Sequence, residues 1–365
     1  MKAALLVASI LAIASVKAAE PELSDVFVAG RDGYKSIRIP SVVVTKAGVV
    51  LAFAEGRAAN ADQAANDLVL RRSIDGGRTW GAMQLVAEDG DNSLNNPCAV
   101  IVRETGRVFV MFQAYPAGAS ERSGEISWSP AMDVTRTTKR TGHVTTVASG
   151  PGIGTQLAHG EHAGRLIIPF NEGPFGLWSV FAVFSDDRGK TWRIGEPAPG
   201  GFLLDDKGGG KSTVNEVQMV ERSDGSVLLN GRKWAGRAVR KKAVSADGGE
   251  TWTTITDDVA LHDPGCQASI FRYSESKAGG HSRILYSGPD STRRENGTVR
   301  LSYDDGQTWP VKKVLHAASF GYSVLAAFPD GTIGCLFETD GEKRIVFARF
   351  TLDWLSDGKD TLKEP

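Results

Sequence analysis

Short apolar runs, each about as long as a β-strand, recur along the chain at steps of roughly 50–60 residues, a period that indicates structural repeats. In each unit an apolar run leads into a glycine-containing turn, and a second apolar run follows. The first runs begin near Arg38, Pro97, Thr155, Glu216, Gln267 and Tyr322. No helix-length periodic segment separates these runs, so the pattern predicts six units of short antiparallel strands.

An octapeptide of the form S-x-D-x-G-x-T-W marks four of the units. It begins at Ser73, Ser185, Ser245 and Ser302, in each case after a third strand-like run. Aspartate accepts hydrogen bonds from nearby backbone amides, glycine adopts positive φ, and tryptophan can pack over the turn. We therefore interpret the octapeptides as structural hairpin turns. In the second unit the segment Ser127–Asp133 stands where the octapeptide is expected.

Six units of four antiparallel strands fit around a common axis as a six-bladed β-propeller, an all-β fold that leaves only short sheet edges exposed. The run Asp25–Gly30 is predicted to supply the strand that closes the ring against the last unit. The chain has 365 residues, of which 41% are hydrophobic and 23% charged, an ordinary globular composition. The repeat assigns residues 19–365 to one domain.

The first 18 residues differ from the rest of the chain. Lys2 precedes the apolar run Ala3–Val16, and Val16-Lys17-Ala18 fits the small-residue rule for signal peptidase cleavage. The apolar run is too short to span a bilayer. The pattern predicts a signal peptide over residues 1–18 and a secreted or periplasmic protein without a transmembrane segment.

Charge, cysteines and histidines exclude several classes of function. The net charge of −1 provides no field that would attract nucleic acid. The three cysteines (Cys98, Cys266 and Cys335) have no partner at metal-ligand spacing and are predicted to be small core residues. His159 and His162 are expected to face solvent. The sequence thus predicts neither a metal nor a cofactor.

Antiparallel topology places the candidate chemistry on one rim of the propeller. First-strand starts, second-strand ends and the loops after them share a rim, and the octapeptides lie on the opposite one. The first rim receives eight chemically capable residues: Arg38, Arg57, Asp62, Glu216, Arg232, Arg294, Tyr322 and Glu338. Converging arginines need an anion to balance them, and the planar guanidinium matches a carboxylate.

At these residues the chain resembles a known family. The octapeptides resemble the Asp boxes of the sialidase (neuraminidase) superfamily, and Arg38-Ile39-Pro40 resembles its F/Y-R-I-P motif. The resemblance, to bacterial exo-α-sialidases, covers most of the chain after residue 24. It implies that Arg38, Arg232 and Arg294 hold the carboxylate of sialic acid. It also implies that Arg57 lies near the 4-hydroxyl and that Glu338 braces Arg38.

The same resemblance implies the catalytic roles. Asp62 matches the general acid that later acts as base, Tyr322 the nucleophile, and Glu216 the glutamate that takes the tyrosine proton. The expected substrates are sialylated glycans, glycoproteins or glycolipids, and the protein is expected to be a monomer.

Several alternatives stay open at this point. Arg293 competes with Arg294, and Asp67 competes with Asp62. Phe175 and Trp178 either form an apolar platform for the aglycone or acyl group, or pack locally. A trans-sialidase would share all the catalytic residues, and a non-catalytic sialic-acid-binding propeller would need only the arginines.

Overall fold

The structure, a computed structural model, describes residues 18–115, 125–126, 132–140, 144, 146–204, 210–275 and 281–360. The predicted signal peptide therefore lies outside the described residues, apart from Ala18. Most of the segment predicted to replace the second octapeptide, residues 127–131, also lies outside them.

The sixth blade shows how the ring closes. Its strands Ser323–Ala327, Ile333–Thr339 and Arg344–Phe350 follow one another along the chain, and the fourth strand, Glu22–Val28, comes from the opposite end of the chain. This closing strand pairs antiparallel with Arg344–Phe350. The prediction of a closing strand near Asp25 is confirmed, with bounds shifted by two or three residues.

Blades four and five are the regular repeats that the sequence predicts. Each is a four-stranded antiparallel sheet in which sequential strands are neighbours. Blade four consists of Val214–Glu221, Val227–Lys233, Val239–Ser245 and Thr256–His262. Blade five consists of Ser269–Ser274, Arg283–Pro289, Glu295–Ser302 and Val311–Ser319.

Blades one to three depart from the four-strand rule. Blades one and two share a seven-stranded sheet, because Asn66 of blade one pairs with Ser93 of blade two, and Gly152–Ile153 adds a parallel strand. Blade one is Ser36–Val44, Val50–Arg57, Asn66–Ser73 and Gln84–Ala87, and blade two includes Ser93–Ile101 and Val108–Tyr115. Blade three has five strands: Thr146–Ser149, Thr155–Gln156, Leu166–Gly173, Ser179–Ser185 and Arg193–Ile194. The all-β propeller prediction is confirmed, whereas a uniform division into separate four-stranded sheets is not.

The remaining described elements are short. Two-stranded pairings join Glu125–Ile126 to Met132–Asp133 and Phe202–Leu204 to Gly210–Ser212. The helices are Thr135–Thr138 and Leu352–Ser356. Neither helix, nor any other within the described part of the chain, has the length and apolar character needed to cross a membrane.

The core lies between neighbouring blades. The largest apolar cluster spans blades one, two, three and six, and it includes Phe53, Met111, Phe181 and Phe347, each almost completely buried. Burying one such side chain contributes about 1.5–3 kcal/mol, so contacts between blades fix the orientation of each sheet. Cys98, Cys266 and Cys335 are free thiols in buried positions, which confirms the prediction that they are core residues.

Each of the four octapeptides forms the same pattern of hydrogen bonds within its own turn. The serine hydroxyl donates to the aspartate at 2.7–2.8 Å, and the threonine amide donates to the same carboxylate at 2.8–3.0 Å. The glycine amide donates back to the serine hydroxyl. These glycines have φ between 82° and 96°, a conformation that glycine adopts without strain. All four aspartates therefore have structural partners within their own turn.

Candidate active site

One cavity of about 410 Å³ opens at the rim where the first strands begin. All six blades contribute to its lining. Seven of the eight residues predicted for this rim line it directly: Arg38, Arg57, Asp62, Glu216, Arg232, Arg294 and Tyr322. The eighth, Glu338, lies behind Arg38. The structure thus brings the whole set together at one end of the propeller, as strand direction predicted from the sequence.

The first strand of blade one is bent where it enters the cavity. Its pairing with the second strand shifts register between Arg38 and Ser41, and Ile39 between them has φ of 59°. This conformation is costly for a β-branched residue, so surrounding contacts must hold it. The Ile39 amide donates to Glu338 at 2.9 Å, and the Arg38 guanidinium donates to both Glu338 oxygens at 3.0 and 3.1 Å.

Glu338 fixes Arg38 and Tyr322 together. Its carboxylate is completely buried and also accepts from the Tyr322 amide at 3.1 Å. Burial alone would raise the pKa of Glu338, but the charge and hydrogen bonds of Arg38 outweigh burial and lower it. Gly321 has to be glycine here, because a Cβ atom would lie 2.6 Å from a Glu338 oxygen.

Tyr322 and Glu216 form the central pair of the cavity. The Tyr322 hydroxyl donates to Glu216 at 2.5 Å, and Arg232 donates to the same hydroxyl at 2.8 Å and to Glu216 at 2.6 Å. Glu216 lies at a register shift in the first strand of blade four, with φ of 25°. The backbone irregularity therefore coincides with the position at which the Glu216 side chain meets the Tyr322 hydroxyl.

The surroundings of Tyr322 keep its hydroxyl protonated. Burial raises the pKa of Tyr322 well above its ordinary value, and Glu216 acts in the same direction, against the opposing charges of Arg232, Arg294 and Arg38. A neutral phenol that donates a 2.5 Å hydrogen bond to a carboxylate is arranged to transfer its proton when the oxygen forms a new bond.

Three guanidinium groups surround the Tyr322 ring. The distances from their central carbons to the ring centroid are 5.4 Å for Arg38, 6.0 Å for Arg232 and 5.3 Å for Arg294. The Nε of Arg232 is buried and has no hydrogen-bond partner among the described residues. A buried donor without a partner is costly, and an anionic ligand would satisfy it.

The neighbouring arginines 293 and 294 have different surroundings. Arg294 donates to Glu342 at 2.5 Å and to the Gly265 carbonyl at 3.1 Å, beside the cavity. The Arg293 side chain is 79% exposed and pairs with Glu295. The structure therefore brings Arg294 to the site and leaves Arg293 at the surface.

Asp62 projects from the loop after the second strand of blade one. Its side chain is 81% exposed, and one carboxylate oxygen accepts from Arg57 at 2.8 Å. Its backbone carbonyl accepts from Asn66, Ser93 and Asn95, so the loop is anchored while the carboxylate remains open to the cavity. Asp67, the competing candidate, accepts instead from the Tyr34 hydroxyl at 2.6 Å and is not part of the cavity lining.

Aromatic side chains form one wall of the cavity. Phe175, Trp178 and Trp234 contact one another edge to face, with centroid separations of 5.6–6.0 Å. Phe175 is 79% exposed, whereas Trp178 is buried. Trp178 thus packs as part of the wall, and Phe175 presents an apolar surface at the entrance.

Sequence reasoning did not find Glu342, Glu55 or Trp234. Glu342 forms ion pairs with both Arg38 and Arg294, and buried Glu55 pairs with Arg57 at 2.6 Å. Glu55 precedes Arg57 by two residues on one strand, a spacing that places both side chains on the same face and could have revealed the pair. Glu342 lies in a turn, and only the fold brings it near Arg38.

The fold and this site define the class of the protein. The family model described as BNR repeat-like domain matches residues 48–335, and the chain belongs to that family within the sialidase superfamily. The chain is 38% identical over 363 residues to a sialidase of Micromonospora viridifaciens, covering 91% of this chain and 54% of that protein. It thus spans about half the length of that relative.

Solved structures have the same fold. The Hadza microbial sialidase Hz136 superposes with a TM-score of 0.75 at 25% identity, covering 90% of this chain and 68% of that one. The intramolecular trans-sialidase from Ruminococcus gnavus superposes with a TM-score of 0.72 at 21% identity, covering 94% and 99% of the two chains.

Proposed function

We propose that the protein is a secreted, retaining exo-α-sialidase that removes terminal α-linked sialic acid from glycoconjugates. The observation that carries this proposal is the Tyr322–Glu216 hydrogen bond of 2.5 Å within a ring of three arginines. The similarity to named sialidases supports sialic acid as the substrate class.

The proposed nucleophile suits the charge of the substrate. The anomeric carbon of sialic acid carries a carboxylate, which would repel a carboxylate nucleophile. Tyr322 approaches as a neutral phenol, and Glu216 takes its proton as the bond to the anomeric carbon forms. Tyrosine nucleophiles are a known exception to the two-carboxylate rule of glycosidases.

The arginines orient the substrate. The carboxylate of sialic acid would accept hydrogen bonds from Arg38, Arg232 and Arg294, including one from the unpartnered Arg232 Nε. Because Glu338 and Glu342 hold Arg38, and Glu342 also holds Arg294, little side-chain freedom is lost on binding. The anomeric carbon is then fixed near the Tyr322 hydroxyl.

Asp62 completes the two displacements. In the first, Asp62 gives a proton to the leaving oxygen while the bond from the anomeric carbon to the aglycone breaks. In the second, Asp62 takes a proton from water, the water oxygen bonds to the anomeric carbon, and Tyr322 leaves and recovers its proton from Glu216. Two inversions yield α-sialic acid as the first product.

The decisive experiment is time-resolved NMR of the products from a synthetic α-sialoside. α-Sialic acid should appear first and then mutarotate. Initial β-sialic acid would contradict a covalent Tyr322 intermediate, and failure to release sialic acid would contradict the hydrolase proposal.

The same spectra test the alternatives. The similarity to the Ruminococcus gnavus intramolecular trans-sialidase concerns the fold, so an anhydro sugar or a sialylated acceptor in place of free sialic acid would favour transfer. A non-catalytic binding propeller would release nothing. The Tyr322–Glu216 pair argues against that alternative, because carboxylate binding requires neither a nucleophile nor its base.

Secretion is a separate part of the proposal. It rests on Lys2, the apolar run Ala3–Val16 and the cleavage pattern ending at Ala18. N-terminal sequencing of the exported protein should begin at Ala19, and a mature chain that keeps Met1 would contradict it.

A further inference from the structure

The aromatic wall of the cavity, formed by Phe175, Trp178 and Trp234, connects the arginines with the mouth. The ring centroid of Trp234 lies 5.8 Å from the guanidinium carbon of Arg232, and the Phe175 ring lies 5.8 Å from that of Trp234. Exposure differs sharply along the wall, because Trp178 is 5% exposed and Phe175 is 79% exposed. Phe175 is therefore the outermost ring of the wall and lies at the mouth.

A hydrogen-bonded turn presents the Phe175 ring. The Leu177 amide donates to the Pro174 carbonyl at 2.9 Å and so closes a four-residue turn. Phe175 is the second residue of this turn, and Gly176, the third, has φ of 87°, the positive value that a type II turn requires there. The amide and hydroxyl of Ser212 both donate to the Gly176 carbonyl, at 3.1 and 3.2 Å. Phe175 is thus exposed on a backbone that is held from both sides.

The exposed apolar surface continues beyond Phe175. The paired strands Phe202–Leu204 and Gly210–Ser212 contact the turn through Ser212, and Leu203 lies near Gly236 of blade four. Ten large apolar side chains are exposed in the described part of the chain, and four of them belong to the turn and this strand pair: Phe175, Leu177, Phe202 and Leu203. Exposed apolar patches of this kind are typical of surfaces that a ligand or partner covers. Because the patch adjoins the cavity, a ligand bound in the cavity can extend over it.

The proposed mechanism determines which part of the substrate reaches the mouth. In a retaining displacement the leaving oxygen departs from the face of the anomeric carbon opposite the nucleophile. Tyr322 is buried, so the leaving group points away from it, towards the open side of the cavity. Asp62 and Phe175, which are both largely exposed, line the cavity there. This step rests on the proposed function, and it directs the aglycone towards Phe175.

We infer that Phe175 binds the first sugar of the aglycone and makes the enzyme favour oligosaccharide substrates over small sialosides. The phenyl ring has no hydrogen-bonding group, so it suits the C–H face of a pyranose such as galactose, whose hydroxyls remain in solvent. The turn already holds the backbone of Phe175, so little conformational freedom is lost on contact. Leu177 and Leu203 extend the apolar surface for longer aglycones.

The test compares kcat/KM on sialyllactose with kcat/KM on methyl α-sialoside, whose aglycone lacks a sugar. Phe175→Ala should lower the ratio of the two values by about threefold to tenfold, mainly through a higher KM on sialyllactose. Phe175→Tyr keeps an aromatic ring and should retain the wild-type ratio. The control Ile74→Ala removes another exposed apolar side chain, in the octapeptide turn of blade one, and should also retain it.

An unchanged ratio in Phe175→Ala, with sialic acid still released, would overturn the inference and leave the proposed function intact. An equal loss on both substrates would show that Phe175 contacts sialic acid itself, for example its N-acyl group. No loss on either substrate would show that something other than the aglycone covers the patch.

Failure of the wild type to hydrolyse either substrate would contradict the proposed function instead. Saturation-transfer NMR in a Tyr322→Phe background tests the contact without hydrolysis. The galactose protons of sialyllactose should receive saturation when Phe175 is present and lose most of it in Phe175→Ala. Equal transfer in the two proteins would overturn the inference.

Discussion

At the scale of single residues, two hydrogen bonds converge on the Tyr322 hydroxyl, one to Glu216 and one from Arg232. Removing the hydroxyl leaves Glu216 and Arg232 paired with each other at 2.6 Å, so the fold should tolerate the change. Catalysis should be lost, because the variant lacks the oxygen that we propose bonds to the anomeric carbon. This separation of stability from activity makes Tyr322 a clean test of mechanism.

Tyr322→Phe should lower kcat/KM by more than the roughly 10²–10⁴-fold typical of losing a general base, for every aglycone tested. It should also prevent accumulation of a covalent glycosyl-enzyme with a fluorinated sialoside, measured by intact mass. Tyr273→Phe is the matched control, since its hydroxyl donates to the Gly331 carbonyl in another part of the molecule. Equal activity in the two variants would remove Tyr322 from the nucleophile role.

The loss of activity on removing the Asp62 carboxylate should increase as the leaving group becomes poorer. With an activated aryl aglycone, Asp62→Ala should change the glycosylation step little, whereas with sialyl-galactose the loss should be on the order of 10²–10⁴-fold. A Brønsted series of aryl and alkyl sialosides measures this dependence. Asp67→Ala is the control, because Asp67 pairs with Tyr34. If the activity of Asp67→Ala depended more steeply on the leaving group than the activity of Asp62→Ala, the two assignments would be exchanged.

At the scale of elements, each octapeptide turn depends on one ionised aspartate. In the turn of blade three, partial burial would raise the pKa of Asp187, but hydrogen bonds from Thr191, Ser185 and the Lys190 amide outweigh it and bring the pKa to about 2. The pKa values of the equivalent Asp75, Asp247 and Asp304 are also lowered. The turns should therefore weaken together in acid.

The sign of the pH effect follows from linkage. The folded-state pKa of Asp187 lies below the unfolded value of about 3.9, so its stabilisation is complete above roughly pH 5 and is lost as pH falls through about 2. Asp187→Asn should lower the free energy of unfolding at pH 7 by about 1 kcal/mol, at the low end for charged hydrogen bonds because solvent screens the site. The difference should shrink as the pH falls from about 5 towards 2.

Denaturant unfolding between pH 2 and pH 7 measures this dependence. Asp91→Asn, in an exposed position between blades one and two, is the control and should shift stability by less than about 0.5 kcal/mol at every pH. A pH-independent difference between wild type and Asp187→Asn would contradict the account of the turn.

At the scale of the whole molecule, the closing strand Glu22–Val28 joins the two ends of the described chain. The cavity depends on this closure, because its residues come from all six blades and their positions follow from how the blades pack. The closing strand carries two large apolar side chains that differ in burial. Phe27 is 1% exposed, whereas Leu23 is 52% exposed.

Phe27→Ala should lower the free energy of unfolding by about 3–5 kcal/mol, through lost burial and a cavity between blades. Leu23→Ala should change it by less than about 0.5 kcal/mol. Equilibrium unfolding in denaturant compares the two variants. Similar values would mean that the closing strand contributes little to holding the ring.

Local features of the fold could be predicted from the sequence. Strand alternation and the turn chemistry of the octapeptides act over a few residues, so they identified the propeller and the closing strand. Strand direction then assigned Arg38, Glu216, Tyr322 and the other predicted residues to one rim. Strand direction could not predict which of these residues contact one another or what role each of them has.

Only the tertiary structure decided contacts between blades. The ion pairs of Glu342 with Arg38 and Arg294, the exposure of Arg293 and the shared sheet of blades one and two depend on how neighbouring sheets pack. The meeting of His159 with Glu221 is of the same kind. Sequence by itself determined the repeating unit and its rims, because short-range geometry specifies them. The partners across blades are set by long-range packing of side chains, which no local pattern encodes.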